Sequence, residues 1–279
     1  MRLNERQIRA ITDTAAAVFG PDASVRLFGS RVDDSLTGGD VDLHVEVAPG
    51  RRSFANESRF RVALGDRLGD EKIDVVVHER GEPLRAIDRL AETTGVSLSN
   101  AEAAAQSRDQ VETQGPELTD LAKEFLAEAL AMADAVAVRL RRSQERLGHL
   151  FPVAASVIGS MREDDLESID ALIKRVENLQ DILQRRVFRA LLMAEGEAVR
   201  GEPAPAIAER LEARGAIVSA AQWKDLADLR NRLAHDYPLN PDIQADRING
   251  AFAAIAPLIG TLDQIRQYIA RTSLPDAPG

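Results

Sequence analysis

Two groups of residues in this chain have the types and spacing for phosphate chemistry, one near each end. Asp40 and Asp42 stand two apart in Asp40-Val41-Asp42-Leu43, and on a strand that spacing sends both side chains to one face. Asp74 stands in a second apolar run, Ile73-Asp74-Val75-Val76-Val77. If the strands pair, three carboxylates converge, and they repel one another unless a divalent cation sits between them. Mg²⁺ (or Mn²⁺) suits such oxygen ligands and commonly bridges carboxylates to a substrate triphosphate. Two such ions can activate an attacking oxygen and stabilise departing pyrophosphate, with Asp74 as the expected base or second-metal ligand. Gly29-Ser30 follows directly on the apolar run 25–28. Glycine lets backbone approach a phosphate, the serine hydroxyl and nearby amides can donate to it, and Arg31 adds charge. The plain alternative is a hairpin whose acids face water. The order strand, Gly-Ser, loop, Asp-x-Asp strand, helix, Asp strand favours the site.

The second group is Arg230-Asn231-Arg232-Leu233-Ala234-His235-Asp236-Tyr237, an Arg-x4-His-x-Tyr pattern. RNA cleavage without a metal needs a group that moves protons and a cation that stabilises the phosphorane. His235 can shuttle protons near neutral pH, Arg230 can grip a phosphate with its planar fork, and Asn231 is a further donor. Residues five apart do not share a helix face closely. Either the helix end before Pro238 brings His235 round, or the site forms across a two-fold dimer interface. The bland alternative makes Arg230 and Arg232 a solvated face, His235 a cap on the helix dipole, and Tyr237 a core or interface residue.

These residues need elements to position them. Apolar spacing predicts a helix over 5–19, with Ile8, Ile11, Ala15 and Phe19 on one face. Strands are expected over 25–28, 41–47 and 73–77, a helix over 56–68 with Asn56 as N-cap, a short helix over 84–90, and an extended segment at 95–98. Residues 101–116 are polar and Ala-rich, close on Gly115-Pro116, and read as a linker. Helical periodicity then covers 118–150 and 166–193, the latter through Leu166, Ile169, Ile173, Val176, Leu179, Leu183 and Leu191 with one longer gap. Residues 201–205 interrupt it. Ser219 with Gln222 predicts a capping box for a helix carrying Trp223, Leu226, Leu229 and Leu233, which Pro238 should end near His235. A last helix is expected over 243–269, kinked at Pro257. The expected class is a two-domain chain: an α/β domain over 1–100 with a small mixed sheet and flanking helices, then an all-α bundle over 117–272 and a tail over 273–279.

Length and composition agree with two domains, since 279 residues suffice for both. The chain is 44% hydrophobic but only 4% aromatic, so its cores must be built from Leu, Ile, Val and Ala. It has no cysteine, which excludes disulfides, thiol catalysis and cysteine-ligated zinc. A net charge of -10 argues against whole-surface nucleic-acid binding, so any RNA contact should be local. The N-terminal residues lack a signal-peptide core, and the apolar run at 252–260 is short and holds Pro257. The expectation is a cytoplasmic protein without a membrane partner. His44, His78 and His149 are scattered without metal-ligand spacing, and His78 is expected at most to border a nucleotide pocket. Trp223 reads as a core anchor, and Arg139, Arg141 and Arg142 as a solvated helix face rather than an RNA-facing patch.

Residues 1 to about 100 resemble the minimal nucleotidyltransferases of the polymerase-β superfamily, on Leu27-Phe28-Gly29-Ser30, Asp40-Val41-Asp42-Leu43 and Ile73-Asp74-Val75-Val76. The resemblance implies transfer of AMP from ATP, with Asp40, Asp42 and Asp74 as metal carboxylates and Gly29-Ser30 as the triphosphate contact. Residues 117–272 resemble the HEPN helical bundles of the toxin group with Arg-x4-His-x-Tyr. That implies a homodimer in which paired Arg230 and His235 form a ribonuclease cleft, acting on transfer or messenger RNA. In toxin–antitoxin pairs of this kind the transferase AMPylates the motif tyrosine of its partner, here matched by Tyr237. Both halves share one chain here, so transfer would run in cis or across a dimer. AMP on Tyr237, two residues from His235, would put a bulky anion where RNA phosphate must enter. Two other readings compete: a small-molecule transferase of the aminoglycoside-modifying type with a helical acceptor domain, and a non-catalytic module whose bundle only dimerises.

Overall fold

Alternation of apolar and polar side chains builds an N-terminal sheet with two unlike faces. The computed structural model describes residues 3–32, 41–69, 73–98, 116–199, 202–235, 240–272 and 274. Its contacts divide into two units, one of Met1–Phe125 with Gly196–Pro203, the other of Leu126–Glu195 with Ala204–Gly279.

In the first unit α1 (Glu5–Phe19) leads into β1 (Ser24–Phe28), a 3-10 turn (Gly29–Val32), β2 (Val41–Val47), α2 (Phe54–Leu68), β3 (Ile73–Glu79), α3 (Ala86–Thr94) and β4 (Val96–Ser97). The sheet order is β3-β2-β1-β4. β1 runs antiparallel to β2 and β4, while β2 and β3 are parallel, so the small sheet is mixed. Val41, Leu43, Val45, Val47, Val75 and Val77 join one core with Ile11, Ala15 and Phe19 of α1 and Phe60 and Leu64 of α2. Phe19 and Phe60 meet there with ring centroids 5.3 Å apart. Because strand side chains alternate, Asp42, His44, Glu46, Asp74, Val76 and His78 share the other face, against which α3 packs through Asp88.

Asn4 and Gln7 form a reciprocal capping box that starts α1. α2 begins earlier than expected: its N-cap is Ser53, whose hydroxyl accepts the Asn56 amide, while the Asn56 side chain donates to the Arg51 carbonyl. Both residue types cap well, and Ser53 holds the extended backbone that a cap needs. α3 starts later than expected, because the Asp88 carboxylate accepts the Arg85 amide and pins the first turn there.

The second unit carries helices and no strand among its described residues. α4 (Pro116–Leu147), whose first residues belong to the first unit, is followed by a 3-10 turn, α5 (Ala155–Ile158), α6 (Glu163–Ile182), a π-turn (Leu183–Val187), α7 (Phe188–Ala194), α8 (Ala204–Ala213), α9 (Ala220–His235), α10 (Pro241–Ala253) and α11 (Ile255–Thr272). The long gap in the 166–193 periodicity coincides with the π-turn, which widens the helix by close to one residue per turn. The expected C-terminal helix is two helices that part at Ala254. Pro257 explains the break, since its ring clashes with the carbonyl four residues before it. By length and composition alone, Pro241–Thr272 is apolar enough to cross a membrane, which the short run around Pro257 did not indicate. Here it is divided, and Ile255, Leu258, Leu262, Ile265 and Ile269 are buried.

Candidate functional site

The end of β1 and the starts of β2 and β3 lie at one end of the sheet. Asp42 opposes Phe28, the last residue of β1, and pairs in register with Asp74 of β3. Parallel neighbours are about 4.8 Å apart and send matched side chains to the same face, so the two half-buried carboxylates stand side by side. Gly29 follows Phe28 at φ 72°, and a β-carbon there would stand only 2.9 Å from the Asp42 carboxyl carbon. Backbone conformation and space both demand glycine at this position. Gly29→Ala is accordingly expected to cost about 1–3 kcal/mol of first-unit stability and to displace Asp42, as urea unfolding would measure.

Gly29, Asp42 and Asp74 are therefore brought together. Arg31 follows in the 3-10 turn, half-buried. Asp40 and the side chain of Ser30 lie outside the described residues. Among the described residues no group of three or more His, Asp or Glu side chains is placed to hold a metal ion. Two adjacent carboxylates on one face nonetheless fit a hard divalent cation, since their mutual repulsion is relieved by a charge between them.

Further along the same face is a buried cluster that the sequence reading missed. Asp88, fully buried, receives His44 Nε2 at 3.1 Å and lies 3.5 Å from His78 Nδ1. Arg85 Nε and Nη2 donate to the two Asp88 oxygens at 2.7 and 2.8 Å, and Nη2 also donates to the Val77 carbonyl at 2.9 Å. The two imidazoles are nearly parallel, 6.3 Å apart. Burial by itself would push the Asp88 carboxyl up. The hydrogen bonds from His44 and Arg85 outweigh it and hold the group well below the usual carboxylate range. The signal in the sequence was parity: His44 is two residues from Asp42 and His78 four from Asp74, so period two puts all four on one face.

In the helical unit, Arg230 Nη2 donates to Asp181 Oδ2 at 2.6 Å, and Arg185 Nε stands 3.7 Å from the other Asp181 oxygen. The Arg230 side chain is 16% exposed, and its Nε is buried without a hydrogen-bond partner among the described residues. Asn231 and Arg232 are exposed. His235 is the last residue of α9. Its side chain, and all of Tyr237, lie outside the described residues. Nothing local in the sequence marked Asp181, which is 49 residues from its partner.

The Asp181–Arg230 pair is held in place from behind. Trp223 Nε1 donates to Gln184 Oε1 in the π-turn at 3.1 Å, buried Gln180 donates to the same oxygen at 2.8 Å, and Phe188 packs on the indole with centroids 4.5 Å apart. Trp223 is thus a core anchor that also locks α9 to the π-turn. Trp223→Phe should lower second-unit stability by about 1–3 kcal/mol, combining the lost donor with a small cavity; thermal unfolding would measure it. The chain's other tyrosine, Tyr268, is buried and donates to Glu195, and burial followed by that carboxylate pushes its phenol up to about 12.

No protein-family model, curated protein or solved structure matches this chain.

Proposed function

We propose that the first unit transfers AMP from ATP to Tyr237 of the Arg-x4-His-x-Tyr segment, and that this silences an endoribonuclease built on Arg230, Asn231 and His235. The observation that carries the reading is the register pairing of Asp42 with Asp74 beside the obligatory Gly29. Asp40, Asp42 and Asp74 would hold Mg²⁺, which supplies charge neutralisation for the triphosphate and for departing pyrophosphate. Gly29, Ser30 and Arg31 would contact the triphosphate. The Tyr237 phenol oxygen attacks the α-phosphorus, its proton passes to a carboxylate, the bond to the β-phosphate oxygen breaks, and pyrophosphate leaves. Tyr268 is a poor competitor as acceptor, because the residue is buried and its hydroxyl is engaged with Glu195. In the helical unit, Arg230 would stabilise the phosphorane while His235 moves protons.

The test is intact-mass measurement with tandem mapping of both tyrosines, before and after incubation with ATP and Mg²⁺, alongside an Asp40→Asn/Asp42→Asn chain. One or more AMP units on Tyr237, absent from the variant and from Tyr268, is the expected result. An unmodified Tyr237 in every sample would overturn it and direct the search to hydroxylated small-molecule acceptors.

A further inference from the structure

α4 and α6 lie side by side in opposite directions. Arg175 of α6 donates to Ser143 of α4 at 2.9 Å, while Arg186, just beyond α6, reaches Met132 of α4 at 3.8 Å. Arg139, Arg142 and Arg146 on α4 are spaced by three and four residues, share one helix face, and are exposed. These five arginines therefore line one seam between the two helices. Among the described residues none of the five has a carboxylate within ion-pair distance. Their neighbours on other faces are matched: Arg141 with Asp263, Lys174 with Glu177, Arg185 with Asp181. An unmatched row of five positive charges is anomalous in a chain of net charge -10.

We infer that this seam is a binding track for the phosphate backbone of a single-stranded RNA. The α4 arginines extend over roughly 10 Å of helix and Arg175 to Arg186 over roughly 16 Å, a linear array rather than a single pocket. A polynucleotide presents phosphates at regular intervals along such a line, and each guanidinium fork matches one phosphate. A second copy of the chain related by a two-fold axis would set arginine against arginine, so self-association is disfavoured on this face. Asp181, which holds Arg230, lies on α6 between Arg175 and Arg186 but on another face, so the seam and the candidate cleft share that helix without sharing one surface. The RNA assignment deepens the ribonuclease reading and rests on it. The seam would hold substrate without reading its sequence.

The experiment is fluorescence anisotropy of a labelled mixed-sequence RNA oligonucleotide with the full chain. The His235→Gln background is used throughout, so that the RNA stays intact. Arg139→Gln/Arg142→Gln/Arg146→Gln is compared with Arg162→Gln/Lys224→Gln/Arg271→Gln, which has the same net charge. The seam variant is expected to bind about tenfold or more weakly. Its slope of log affinity against log salt should be shallower by about 2 between about 50 and 200 mM, and the control should keep the parent values. Equal behaviour of the two variants would overturn the seam. So would absence of RNA binding by the parent, equally tight binding of polyglutamate or anionic vesicles, or a changed oligomeric state with unchanged RNA affinity. Binding is read without cleavage, so a failed ribonuclease assay and a failed seam give different results.

Discussion

Asp42→Asn is expected to reduce AMP incorporation by about 10²- to 10³-fold, with the first unit still folded. The substitution keeps shape and removes one negative charge from a side chain that stands beside Asp74 in the register and over Gly29. A cation shared by these carboxylates would lose a ligand, and a bound triphosphate would lose part of its charge neutralisation. Asp74→Asn should cause a loss of similar size, and the double variant should fall little further, because residues acting on one ion fail together. The assay is transfer of label from ATP in the presence of Mg²⁺, with circular dichroism to confirm folding. Full labelling by the Asp42→Asn chain would remove the metal-carboxylate role and the proposed function with it.

The second large effect belongs to stability. Asp88→Asn is expected to destabilise the first unit by about 2–4 kcal/mol, because it removes the carboxylate charge facing the partly exposed Arg85 and puts an amide NH2 where an oxygen accepted from Arg85 and His44. The pH dependence follows from linkage. Asp88 has its carboxyl held far below the ordinary value of 3.8 in the folded chain, so folding favours the ionised form. That stabilisation is fully present above about pH 5, and shrinks as pH falls from there through the unfolded value toward the folded one. Urea midpoints of parent and variant should therefore lie farthest apart at about pH 6, and the gap should have begun to narrow by about pH 3. A gap that is independent of pH over that interval would mean that Asp88 contributes through packing and not through its charge.

This residue also marks where sequence reading stopped. His44 and His78 looked scattered because they are 34 positions apart in the chain. Parallel pairing of β2 with β3, and the docking of α3, bring them onto one carboxylate. The Asp181–Arg230 pair has the same origin, as does the seam of arginines that run along two separate helices. Local spacing can put side chains on one face of a strand or helix, but their partners across elements have no local signature, since each pairing needs a register or a helix packing that many distant side chains choose together.

What the chain did state by itself is local. Period-two alternation gave the strands, and period-3.6 spacing gave most of the helices with their ends within a few residues, but not α5 or α8, nor the division of the last helix into α10 and α11. The placement of Gly29 after an apolar strand and of Asp42 at the head of the next already forced glycine and carboxylate toward one sheet end. Short-range preferences fix elements because the steric and hydrogen-bonding terms act within one turn or one pleat. Tertiary structure alone decided that Asp42 faces Asp74 and that Arg230 is held by Asp181. Those choices depend on burial of surfaces and pairing of charges between segments far apart in the chain, where the free energy comes from neighbours that no local pattern names.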